Sequence, residues 1–153
     1  MTKKEKIMNV KKAALVTIGL LVAIQFIPYG KDHTNPPVVK EPQWDSQETR
    51  KLFMKACGDC HSNETKWPWY SNIAPISWLV YRDVKEGREH FNVSMWGVQK
   101  KNKGDEAYEE LEEGEMPPLI YLIAHPEARL TKEEKEKLLQ GLKKTFHTKG
   151  DEE

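Results

Sequence analysis

Cys57-Gly58-Asp59-Cys60-His61 puts two thiols and an imidazole within five residues, and the chain has no other cysteine. The spacing is C-x-x-C-H, the attachment signature of c-type haem. On a helical turn, residues three and four apart share a face. Cys57, Cys60 and His61 would then point the same way, so that the thiols can form thioethers with the haem vinyls while the imidazole reaches the iron. A proximal histidine is an established way to hold haem iron.

Two other uses of a C-x-x-C pair fit less well. A thioredoxin-like redox pair needs a strand–helix–strand pattern around it, and no such alternation is present. A structural zinc site needs four ligands, usually with a second close pair; His90, His125 and His147 are scattered along the chain. If both cysteines become thioethers, no thiol is left over, which suits an oxidising compartment.

The elements that must position this motif read as helices. Asp45 can cap a first helix, with Glu48 as its capping-box partner. Leu52, Phe53 and Ala56 follow at helical spacing and lead directly into the motif. Trp67, Trp69 and Tyr70 around Pro68 make a stiff loop; their rings could wall a haem pocket or simply pack in the core. Asp59 and Glu64 read as solvated surface. Pro75 suits a helix start, with Ile76, Leu79, Val80 and Val84 on a stripe and an end near Gly87. His90, Phe91, Met95 and Trp96 fall in the loop beyond. A short helix over 107–113 stops at Gly114, and Met116 sits on a loop stiffened by Pro117 and Pro118. Leu119 to Ala124 can form one turn. Thr131-Lys132-Glu133-Glu134 matches a capping box and opens a last helix over about 131–147, with Leu138, Leu139, Leu142 and Phe146 on one face. No strand-like alternation and no internal repeat is present, so the expected class is all-α.

Ahead of this domain the chain changes character. Residues 1–12 hold five lysines and one glutamate, and residues 13–30 hold no charge. That is a basic region followed by an apolar one. No small-residue cleavage pattern follows it, so the expectation is an uncleaved signal-anchor, at the short end for a spanning helix. The lysines should stay cytoplasmic, which places the haem motif on the outer face of the membrane, facing periplasm or cell exterior. Residues 31–43, with Pro36, Pro37 and Pro42, read as a semi-rigid tether, His33 being a solvated linker residue. The haem-binding domain is then 44–147, with a frayed tail over 148–153. The whole chain has zero formal charge, so the part beyond residue 12 is about −4, which argues against a nucleic-acid partner.

From Cys57 onward the residues CGDCHSNETKWPWYSNIAPISW, EGREHFNVSMW and GEMPPLIYLIAHPEARLTKEEK resemble the bacterial haem-binding domain family of small monohaem proteins. The resemblance covers roughly residues 44–147. It implies a cytochrome c-like helical domain with one covalent haem c. It also implies attachment on the outer side of the membrane, in agreement with the charge pattern, and it names no partner.

The function class turns on the sixth iron ligand. Two strong axial ligands make an electron carrier; an open or weak position makes a sensor or a peroxidase-like enzyme. Candidates are Met54, His90, Met95, Met116 and His125. Met54 lies one turn before Cys57, badly placed for the opposite haem face. Met95, His90 and His125 have ordinary packing or hydrogen-bonding uses. Met116 is distant from His61 and stiffly held, and the family resemblance points to the same Met-Pro pair; its competing use is a loop methionine packed in the core. The chain therefore reads as a membrane-anchored monohaem electron carrier with His61 and Met116 on the iron and unidentified redox partner proteins. No triad, phosphate loop or carboxylate dyad supports a non-haem enzyme.

Overall fold

The computed structural model describes residues 3–146. Met1, Thr2, His147 and the expected tail at 148–153 lie outside the described residues. Regular structure among the described residues is helical: α1 (Lys3–Ala23), α2 (Gln47–Ala56), α3 (Gly58–His61), α4 (Ile76–His90), α5 (Ala107–Glu113), α6 (Leu119–Ala124) and α7 (Lys132–Phe146), with short 3-10 turns between them. An isolated bridge, Lys40 with Met95, is the one β-type pairing among them. The class is all-α, as the periodicity predicts.

The described residues fall into two compact units, 3–33 with 68–82 and 34–67 with 83–146. In the first, α1 buries none of its residues and is long and apolar enough to cross a membrane. His33 is not a solvated linker side chain. It is half-buried, with Nε2 3.1 Å from the Ser71 carbonyl oxygen.

The second unit is built on α2 and α7. Ser46, not Asp45, caps α2: Ser46 is extended and its hydroxyl accepts from the Thr49 amide at 3.1 Å. Asp45 is used otherwise, its amide donating to Thr145 Oγ1 at 3.1 Å. α2 buries Thr49, Leu52, Phe53 and Ala56, and α7 buries Leu138, Gly141, Leu142 and Thr145. Both sets repeat at three and four residues, so each helix turns one stripe inward. The two stripes meet: α2 packs against α7, the pairing that the resemblance to c-type cytochromes implies. It is close enough that a Cβ on Gly141 would come within 2.1 Å of Thr49 Oγ1.

Phe53 stands at the centre, with Trp44, Phe91 and Phe146 rings at 5.2, 6.0 and 6.5 Å. Leu142 belongs to the same cluster and is 1% exposed. Leu142→Ala is expected to destabilise the fold by about 2–5 kcal/mol, the cost of a buried leucine and its cavity. Denaturant unfolding checks this; a loss within the roughly 0.5 kcal/mol of surface substitutions would place Leu142 outside the core.

Helix ends follow local chemistry. The Thr131 box closes reciprocally: the Thr131 amide donates to Glu134 Oε2 at 2.8 Å and the Glu134 amide to Thr131 Oγ1 at 3.1 Å. α5 ends on Gly114 at φ 81°, the left-handed region that favours glycine. α4 departs from the expectation and runs through Gly87 to His90. The segment read as a tether is held along much of its length. Val39 and Lys40 amides donate to the Ser94 carbonyl, Asn63 Nδ2 donates to the Pro37 carbonyl, and Glu41 pairs with Arg50 at 2.6 Å.

Candidate functional site

Cys57 closes α2, its amide donating to the Phe53 carbonyl at 2.7 Å. The next turn is α3, where the Cys60 and His61 amides both reach back to the Cys57 carbonyl, at 3.2 and 3.0 Å. This puts Cys57, Cys60 and His61 on a single helical turn, one face at i, i+3 and i+4. Both cysteines are free and half-buried. Burial pushes each thiol up to about 12; the neighbouring Cys60 adds to this at Cys57, and the Asp59 and Asp83 charges add at Cys60. At neutral pH both therefore stay protonated, and the thiolate needed for disulfide exchange is scarce.

His61 is buried between the aromatic core and the motif. Its ring stacks on Phe91 at 4.1 Å with the planes 16° apart, and Nδ1 lies 3.1 Å from the Phe91 carbonyl oxygen. A carbonyl only accepts, so Nδ1 carries the proton and Nε2 the lone pair. Burial lowers the imidazole to about 4, helped by the neighbouring His90 and against the smaller opposing pulls of hydrogen bonds to the Phe91 and Gly87 backbone. The side chain is thus a neutral nitrogen donor with its tautomer set by a backbone partner, as metal-binding histidines usually are.

Asp59 within the motif, and Arg88 and Gly87 outside it, hold this turn, and none was legible as doing so. Asp59, read as solvated, accepts from the Lys66 amide at 2.9 Å through Oδ1 and from the Tyr121 hydroxyl at 2.9 Å through Oδ2. It ties α6 to the motif. Arg88 donates from Nε to the Ser62 carbonyl at 2.9 Å and from Nη2 to Asn35 Oδ1 and Thr65 Oγ1, both at 2.8 Å. Gly87 is a packing residue: a Cβ there would meet the Cys60 carbonyl oxygen at 2.7 Å and Cys60 Cβ at 2.9 Å. This close approach explains why a glycine sits inside α4. Gly87→Ala is expected to displace Cys60, to cost about 1–3 kcal/mol as an overpacking change, and to lower the fraction of chains that take up haem; thermal unfolding and haem absorbance per chain read the two effects.

The candidates for a second iron ligand separate by environment. The Met54 thioether lies against Gly58, where a Cβ would come within 3.1 Å of its sulfur. Met95 is half-buried beside Lys40. His90 Nε2 is 3.1 Å from Glu106 Oε2, and His125 Nδ1 is 3.0 Å from Glu127 Oε1 while its ring stacks on Tyr121 at 4.4 Å. Met116 is 39% exposed, on a loop fixed by its own amide donating to the Glu110 carbonyl at 3.1 Å. Its side chain is not spent on the hydrophobic core.

The donor set suits a haem. Two protonated thiols and one neutral imidazole share a turn, and α6, tied to that turn, exposes Leu119, Ile120 and Ile123, apolar surface of the kind a porphyrin lies against. The zinc reading lacks its ligands: among the described residues, no three His, Cys, Asp or Glu side chains are grouped to hold a metal ion. Of the aromatic loop, Trp67 Nε1 donates to Asn35 Oδ1 at 3.3 Å, and Trp69 is 76% exposed.

No curated protein and no solved structure matches the chain. A family model described as the haem-binding domain matches residues 19–144. The match takes in the motif, α2 to α7, the extended segment before them and the end of α1, and the chain therefore belongs to the haem-binding domain family.

Proposed function

We propose that the chain is a membrane-anchored monohaem c-type protein that carries electrons on the outer face of the cytoplasmic membrane. The observation that carries this reading is the single turn presenting Cys57, Cys60 and the Nε2 of a tautomer-fixed His61. Cys57 and Cys60 would hold the haem covalently, each thiol adding its S–H across a vinyl double bond to give one C–S and one C–H bond with no oxidant needed. The Phe91 carbonyl keeps the proton on Nδ1 and orients the ring. Met116, on a loop that Gly114, Pro117 and Pro118 stiffen, would supply the second iron ligand. The bound haem supplies a one-electron couple, whose potential a His/Met pair raises. Burial of His61 and the apolar side chains of α6 would limit the access of water to a bound haem, which favours electron exchange over ligand chemistry.

Anchoring follows from α1 and its lysines. An apolar helix led by five lysines keeps its N-terminus inside, which leaves the motif outside.

The test is an oxidised and a reduced absorption spectrum of the purified protein, with and without carbon monoxide. A low-spin spectrum unchanged by carbon monoxide is expected. A carbon monoxide complex of the unaltered protein would replace the carrier with a gas sensor or a peroxidase-like enzyme. N-terminal sequencing tests the anchor: a mature chain starting near Lys31 would make α1 a removed signal.

A further inference from the structure

The stretch between Lys66 and Arg82, WPWYSNIAPISWLVY, has no charged residue and five aromatics, and the haem site does not account for most of it. Within the first unit its residues 68–82 are fixed to the end of α1. Gln25, in the 3-10 turn that extends α1, donates from Nε2 to the Ala74 carbonyl at 2.9 Å and accepts from the Ala74 amide at 3.0 Å through Oε1. Tyr29 meets the edge of Tyr81 at 5.4 Å. Ala74 is therefore held at the level of Gln25, and its neighbours Ile73 and Ile76 at about the same level.

Around this clamp, beside exposed Lys31 and Asn72, several apolar side chains are exposed. Trp69, Ile73, Ile76 and Leu79 are exposed, as are Phe26, Ile27 and Tyr29 beside them in sequence or in the clamp. Ile76 and Leu79 are three apart on α4 and share a face. Single exposed apolar residues are ordinary; a contiguous group marks a surface that something covers.

The length of α1 says what covers it. The uncharged helical stretch over 13–26 spans about 21 Å at 1.5 Å per residue, against a hydrocarbon core of about 30 Å. α1 as a whole is long enough to cross, but an uncharged stretch shorter than the hydrocarbon core needs local thinning or help from flanking residues. Tryptophan and tyrosine are the residues that settle at the membrane–water interface, and this stretch holds two of each beyond Trp67.

We propose that residues 68–82 are a membrane-contact surface, with Trp69, Ile73, Ile76 and Leu79 seated in the lipid interface at the outer end of α1. The proposal rests on the reading of α1 as an anchor. Its occupant is the bilayer.

The test uses full-length, haem-loaded protein in nanodiscs of phosphatidylethanolamine and phosphatidylglycerol. Nitroxides are attached in separate variants Ile73→Cys, Leu79→Cys, Leu20→Cys and Lys101→Cys, and relaxation by oxygen is compared with relaxation by a water-soluble nickel chelate. The labels at 73 and 79 are expected to favour oxygen several-fold over the label at 101 and to lie shallower than the label at 20. Labels at 73 and 79 that match 101, or that are shielded from both relaxants, overturn the proposal while a deep label at 20 leaves the anchor standing. An aqueous label at 20 removes the anchor and the proposal with it. Hydroxyl-radical footprinting of the unaltered protein in the same nanodiscs needs no added cysteine. After correction for intrinsic reactivity, Trp69 oxidised as slowly as buried Phe53 supports the proposal, and Trp69 oxidised as fast as exposed Val98 overturns it.

Discussion

Protein produced with c-type maturation machinery is expected to keep its haem through acid–acetone extraction and a denaturing gel, and Cys57→Ser/Cys60→Ser is expected to lose all of it. The effect is all or none because it turns on covalent bonds. Both thiols sit on the helical turn that also carries His61, so the same turn would supply an iron ligand and both thioether sulfurs. Each single variant should keep one thioether and remain stained; the double variant should run colourless. Raised thiol pKa values favour this outcome, since burial keeps Cys57 and Cys60 as thiols rather than as thiolates prone to disulfide exchange. Peroxidase staining of the gel is the measurement. Unaltered protein that loses its haem in acid–acetone would make the attachment non-covalent, with His61 as its main hold.

Met116→Ala is expected to open the iron to carbon monoxide, to abolish the weak far-red sulfur-to-iron band of the oxidised protein, and to lower the potential. Three observations support the choice. The sulfur is not packed in the core, the side chain being 39% exposed. The loop is held from both sides, by the Met116 amide on the Glu110 carbonyl and by Gly114 in the left-handed region. The next helix, α6, is tied to the motif through Tyr121 and Asp59 at 2.9 Å, and Met116 lies three residues before that helix. A thioether stabilises reduced iron relative to a second nitrogen ligand, hence the drop in potential when it is removed. His90 and His125 already pair with Glu106 and Glu127, and His90→Ala should leave the spectrum unchanged. If Met116→Ala leaves band and potential as they were, Met116 is not on the iron, and the unaltered protein's response to carbon monoxide decides whether the position is open.

What the sequence determined by itself lies within a few residues along the chain. The C-x-x-C-H turn, the Thr131–Glu134 capping box, the stop at Gly114 and the apolar run of α1 each depend on neighbours at i to i+4, and local spacing encodes such neighbours directly. Helical stripes also showed that α2 and α7 each had one face to bury, while their pairing with one another was implied by the resemblance and not by spacing. Local chemistry misled where two adjacent residues could do the same job: Asp45 and Ser46 are both good caps, and the Asp45 amide's bond to Thr145, a hundred residues away, leaves the capping to Ser46. Tertiary structure alone decided the support of the motif. The carbonyl that sets the His61 tautomer comes from Phe91, the hydroxyl on Asp59 from Tyr121, and the guanidinium behind Ser62 and Thr65 from Arg88. Gly87 resembles a helix stop in sequence, yet α4 continues through it because the Cys60 backbone occupies the space a Cβ would need. Such contacts join residues 23 to 62 positions apart, and only the path of the chain brings them together.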